Sequence, residues 1–118
     1  MMESAKMKVF FNGKSLIEDG RIAYSLGSRL KGLLGTQSLR AGQGILITNC
    51  KQVHTFFMKY PIDVIFLDHK NNILKSTTMK PWRISPWILR AEKVLETPAG
   101  TAQSLGLKTG SQVEVNIL

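Results

Sequence analysis

Polar and apolar positions along this chain follow a strand-like period in most places and a helical one in two. Met7–Phe11 and Lys14–Ile17 are short apolar-rich runs flanking Asn12-Gly13. Both turn residues tolerate positive φ, as a two-residue type I′ turn requires, so a β-hairpin is predicted. Ser25–Leu34 sets Leu26, Leu30, Leu33 and Leu34 at helical spacing, with Gly35 as the stop. Ile45–Thr48 and Val53–Met58 read as strands, separated from the helix by a loop at Gly42–Gly44. Ile62–Leu67 is apolar on both faces except at Asp63, the mark of a central strand covered on both sides. Asp68–Asn72 is a polar turn, and Ile73–Met79 returns beside the central strand. Lys80–Pro86 is a loop pinned by Pro81 and Pro86. Lys93–Thr97 follows as a strand, then Ala99–Leu105 as a short helix with Gly106 as its stop. Gln112–Ile117 alternates, with Val113, Val115 and Ile117 on one face.

Successive strands are joined by connections too short for parallel crossovers, so a mostly antiparallel sheet is expected. The expected fold class is α+β: short antiparallel strands curled into a small, partly closed β-barrel with two short helices. The chain has 118 residues, which suits one domain (1–118) that includes the hairpin at 7–17. Its 43% hydrophobic and 20% charged content is that of an ordinary globular protein. A single cysteine excludes an internal disulfide. No apolar run reaches the ~20 residues that span a bilayer, and the first residues lack a signal-peptide pattern. A cytoplasmic location is the expectation.

The net charge of +8 invites an anionic ligand, a nucleic acid, an acidic surface or a protein partner. The basic residues are spread from Lys6 to Lys108 without a dense block, so a solvated surface explains them better than a nucleic-acid stripe.

Chemistry concentrates in Cys50–Asp68. Cys50, His54 and Met58 combine thiolate, imidazole and thioether, a soft set that suits copper. In an extended strand, however, each four-residue step spans ~13 Å. Metal bonds to such ligands are only ~2–2.3 Å long. The spacing therefore argues against a shared ion, and no cofactor is implied. Cys50 with His54, oriented by Asp63, would make a nucleophilic pair if the two came within hydrogen-bond reach. Against this stands the commoner case of a lone cysteine buried as a small apolar residue. Asp63, amid Ile62, Val64 and Ile65, needs partners because an unpaired buried carboxylate is costly. His54, Arg83 or backbone N–H groups are the expected ones. Glu96, between Leu95 and Pro98, is expected to pair with a basic residue.

Met79–Arg90 interleaves both tryptophans, Trp82 and Trp87, with Lys80, Arg83 and Arg90. Aromatics among cations stack bases or dock at membrane surfaces. They also cover open ends of barrels, with the cations arranged around them. The segment is expected to lid a pocket floored by His54 and Asp63.

Several longer motifs run through the chain in order. Gly32-Leu33-Leu34-Gly35 ends the first helix, and Gly44-Ile45-Leu46 opens a strand. His54-Thr55-Phe56-Phe57-Met58-Lys59 leads into Pro61-Ile62-Asp63-Val64-Ile65-Phe66-Leu67-Asp68. Lys80-Pro81-Trp82-Arg83 and Val94-Leu95-Glu96-Thr97-Pro98-Ala99-Gly100 follow. Together they resemble the family catalogued as domain of unknown function 192. One departure is Gly110-Ser111, where the family usually has Gly-Asp. The resemblance implies a β-rich, barrel-like fold and some exported relatives, and it names no activity. The functional expectation is a non-enzymatic ligand- or partner-binding module built around His54, Met58, Asp63, Trp82 and Arg83. A small enzyme using Cys50 or His54 is the alternative. A nucleic-acid or anionic-surface binder acting through Trp82–Arg90 is a second alternative.

Overall fold

The computed structural model describes residues 5–24 and 39–118. Asn12 and Gly13 adopt φ of 50° and 75°, and the hairpin forms around them as the sequence requires. Its strands are β1 (Lys6–Phe11) and β2 (Lys14–Ala23). They are followed by β3 (Gln43–Thr48), β4 (Ile62–Leu67), β5 (Ile73–Met79) and β6 (Lys93–Pro98). Helix α1 (Thr101–Leu105) and β7 (Glu114–Ile117) complete the described elements.

All seven strands join one sheet in the order β5-β4-β6-β3-β2-β1-β7. Every pairing is antiparallel except β2 with β3. That pair runs parallel because residues 24–42 lie between the two strands, enough chain for a crossover.

The α+β barrel with two helices is not what forms. The molecule is mostly sheet, and the sheet is open. Its edges, β5 and β7, share no ladder. The nearest link is a single bridge between Asn72 and Gln112, ahead of the two edge strands. Only one short helix occurs among the described residues, and the helix expected at Ser25–Leu34 lies outside them. Val53–Met58 is not a strand either. Thr55 O accepts the Met58 N–H at 3.2 Å, and Phe57 takes φ of 68°, so the chain turns where an extended run was expected.

The expectation for β4 holds. All six of its residues are buried, with β5 on one side and β6 on the other. Alternation sends Ile65 and Leu67 to one core, shared with Met7, Ile17, Leu95 and Ala102. Ile62, Val64 and Phe66 enter a second core on the opposite face, with Cys50, Val53, Met58 and Ala91. Each fully buried aliphatic or aromatic side chain contributes about 1.5–3 kcal/mol. β4 therefore stays in place only while both faces are covered.

Asp63 lies on the Ile65 side of β4 and is 2% exposed. Its Oδ2 accepts the N–H groups of Gly100 at 3.1 Å and Ala102 at 2.9 Å. Its Oδ1 accepts the Thr78 hydroxyl at 2.6 Å. Gly100 is the N-cap of α1 and has no side chain to cap with. A carboxylate from the sheet thus supplies the acceptor that the helix start lacks.

Two stability predictions follow from these contacts. Asp63→Ala strands the buried Ala102 N–H and the partly buried Gly100 N–H, and is expected to cost about 1–3 kcal/mol, read as a lower urea midpoint. At the β4–β5 turn, Asp68 accepts the Asn72 and Lys70 N–H groups, both at 2.9 Å, and the Asn72 side-chain amide at 3.1 Å. These bonds, the Asn72 backbone bond foremost, hold its carboxyl below the ordinary value of 3.8. A depressed folded pKa gives stability that is present at neutral pH and lost as pH falls through the lowered value. The midpoint gap between the native chain and Asp68→Ala should therefore close only in strong acid, below pH 3.8.

Candidate functional site

The second core is covered by a ribbon of two irregular segments, residues 50–58 and 80–92, lying side by side. At one end, Thr55 donates its N–H to Arg83 O at 2.9 Å, and its own O accepts the Trp82 N–H at 2.9 Å. Its hydroxyl donates to Lys80 O at 2.6 Å and accepts the Arg83 N–H at 2.9 Å. In the middle, Val53 and Ser85 exchange bonds: Ser85 N–H to Val53 O at 2.9 Å and Val53 N–H to the Ser85 hydroxyl at 3.0 Å. At the far end, Lys51 Nζ donates to Leu89 O and Ala91 O at 2.8 and 2.7 Å.

This stitching divides the ribbon into two faces. Val53, Thr55, Met58, Ser85 and Ala91 turn inward and are buried. Phe57, Trp82, Ile84, Trp87 and Leu89 are more than half exposed. Among the described residues, these are five of the eight large apolar side chains that stand exposed.

His54 bridges Ile84, and bridged partners present their side chains on the same face. Its Nδ1 accepts the Phe56 N–H at 3.2 Å. The rings continue outward as a stack: His54 on Phe56 at 4.6 Å, Phe56 on Trp82 at 5.9 Å, and Phe57 tilted on Trp82 at 4.8 Å. Phe57 and Trp82 both hold positive φ, 68° and 62°. For bulky residues this conformation costs on the order of 1–3 kcal/mol each. Thr55 O accepts the N–H of Trp82 and of Met58, the residue after Phe57, so one carbonyl fixes both strained turns.

The residues singled out from the sequence divide between the two faces of the sheet. Asp63 faces α1, on the far side of β4 from the ribbon, and serves as that helix's cap. It therefore does not floor a pocket beneath Trp82. Cys50 and Met58 are buried in the second core, and the Cys50 thiol donates to Gln52 O at 3.2 Å. His54, Trp82 and Arg83 do come together on the ribbon. Arg83 is exposed and folds its Nη1 toward Pro81 O and Trp82 O at 3.3 and 3.4 Å. Among the described residues, no three His, Cys, Asp or Glu side chains cluster as a metal site would require. Glu96 is fully buried in β6, far more enclosed than its place beside Pro98 suggests.

Sequence reasoning missed Thr55, Phe56, Phe57 and Ile84. The available signal was a lone threonine set inside an aromatic run, His54-Thr55-Phe56-Phe57. Thr55→Val keeps the side-chain volume but leaves Lys80 O and Arg83 N–H without the hydroxyl. It is expected to cost about 1–3 kcal/mol in urea unfolding. Trp82 fluorescence should also become more accessible to iodide in the folded protein.

Comparison with known proteins gives relatives along most of the chain. A UPF0127 protein of Pyrococcus horikoshii is 36% identical over 97 residues, 80% of this chain and 84% of that relative. A UPF0127 protein of Pyrococcus abyssi is 42% identical over 62 residues, 52% of this chain, and the match spans 53% of that relative's length. The fold is similar to a crystal structure of a Sinorhizobium meliloti 1021 protein described as a candidate transcription regulator. That similarity has a TM-score of 0.77 at 21% identity and covers 98% of this chain and 97% of the other. It is also similar to a Novosphingobium aromaticivorans protein of unknown function, with a TM-score of 0.74 at 20% identity over 92% of this chain and 83% of the other. At such identities the likeness is one of fold alone. The model of the DUF192 family, described as uncharacterized ACR, matches residues 9–115, and the chain belongs to that family.

Proposed function

We propose that this protein is a non-enzymatic binding module that engages an anionic partner through the outer face of the ribbon. The observation that carries this reading is the pair of strained residues, Phe57 and Trp82, held at positive φ with their rings exposed. Strain of this kind persists where the surrounding bonds enforce it, and it gathers at functional sites. A merely structural cover would need its inner face only. Here the outer face is apolar as well, with Lys80, Arg83 and Arg90 exposed on the second segment and Lys59 exposed just after the first. The buried, inward-bonded Cys50 favours a structural role for the thiol over a nucleophilic one.

Tryptophan fluorescence titrated with heparin, oligothymidylate and anionic phospholipid vesicles tests the reading. At least one of the three should shift the emission saturably, and Phe57→Ala/Trp82→Ala should weaken that binding at least tenfold. Silence toward all three polyanions would remove it.

A further inference from the structure

Resting on that reading of the ribbon, we propose that its outer face docks onto an anionic phospholipid bilayer as a peripheral contact. Among the described residues no helix is long and apolar enough to cross a membrane.

The choice of lipid over a nucleic-acid strand comes from the side chains on that face. A strand of bases needs stacking platforms, which Trp82, Phe56 and Phe57 would supply. Ile84 and Leu89 have no π-face to offer, yet they stand 61% and 74% exposed on the same ribbon. Aliphatic side chains on the same ribbon as two exposed tryptophans suit the boundary between headgroups and acyl chains, where tryptophan rings sit amphipathically. The ribbon's inner residues close the second core, while its outer apolar residues Phe57, Trp82, Ile84, Trp87 and Leu89 stay more than half exposed.

The charge around this face is complementary to such a surface. Segments 49–61 and 80–92 carry Lys51, Lys59, Lys80, Arg83 and Arg90 against a single acid, Glu92. Lys51 is committed to the carbonyls of Leu89 and Ala91, and the other four cations are exposed. Beside Ile84, a cleft of about 310 Å³ is lined in part by Lys80, Arg83 and Thr77. Two cations and a hydroxyl next to an apolar step match a phosphodiester headgroup with its acyl chain alongside. Each cation near an anionic leaflet adds roughly fivefold to membrane partitioning, and salt weakens the effect.

Vesicle sedimentation tests the proposal with the full chain. One set of vesicles is phosphatidylcholine alone, and the other is a two-to-one mixture of phosphatidylcholine and phosphatidylglycerol. The chain should pellet with the mixed vesicles, far less with the neutral ones, and less again at high salt. Lys80→Ser/Arg83→Ser should weaken partitioning roughly thirtyfold. Ile84→Ser/Leu89→Ser, which alters exposed apolar positions only, should weaken it at least tenfold while the urea midpoint stays at the native value. Three results overturn the proposal: no pelleting with the mixed vesicles, equal pelleting with both kinds, or native-like partitioning of both double variants. Saturable oligothymidylate or heparin binding without vesicle binding also overturns it, and leaves the binding-module reading standing with a different partner.

Discussion

Strand β4 has no solvent face, and the rest of the molecule is arranged around that constraint. A strand apolar on both sides must be covered twice, and this chain covers it by different means on each side. Helix α1 and the β1–β2 hairpin close one core, while the ribbon of residues 50–58 and 80–92 closes the other. Helix α1 is only five residues long and the ribbon has no ladder of its own among the described residues, so both depend on a small number of polar contacts.

Two buried polar side chains, Asp63 and Thr55, make several of those contacts each. Asp63 holds α1 to the sheet through two backbone N–H groups, at a helix start whose own cap residue is a glycine. Thr55, with no exposed surface, ties the two segments of the ribbon through both its backbone and its hydroxyl. Buried polar groups are costly when unmatched and specific when fully bonded. Each of these two is matched, and each fixes one irregular element at one position. Two family motifs that lie far apart in the chain, Pro61–Asp68 and Val94–Gly100, meet in the bond between Asp63 and Gly100.

The Thr55 contact has a second effect on the surface. By enforcing positive φ at Phe57 and Trp82, it turns their rings outward on the face that the core does not use. The same bonds that close the core thus build a rigid aromatic step. A preformed surface of this kind loses little conformational freedom on contact, which favours binding.

The sequence by itself determined the elements whose cause is local. Asn12-Gly13 set the hairpin, the unbroken apolar run Ile62–Leu67 set the central strand, and Gly106 ended the short helix. It also determined that Asp63 needed partners, since burial of an unpaired carboxylate is unfavourable wherever it occurs. Tertiary structure decided which partners those were, because Gly100 and Ala102 lie 37 and 39 residues away. It decided that β2 and β3 run parallel and that the sheet stays open, since strand order depends on long-range pairing rather than on any residue's preference. It also separated His54 from Asp63: composition had drawn them into one pocket, and the alternation of β4 put the carboxylate on the opposite face from the ribbon. Val53–Met58 has the composition of a strand, but Thr55 found its bonds across the ribbon, and those bonds turned the segment into the aromatic step.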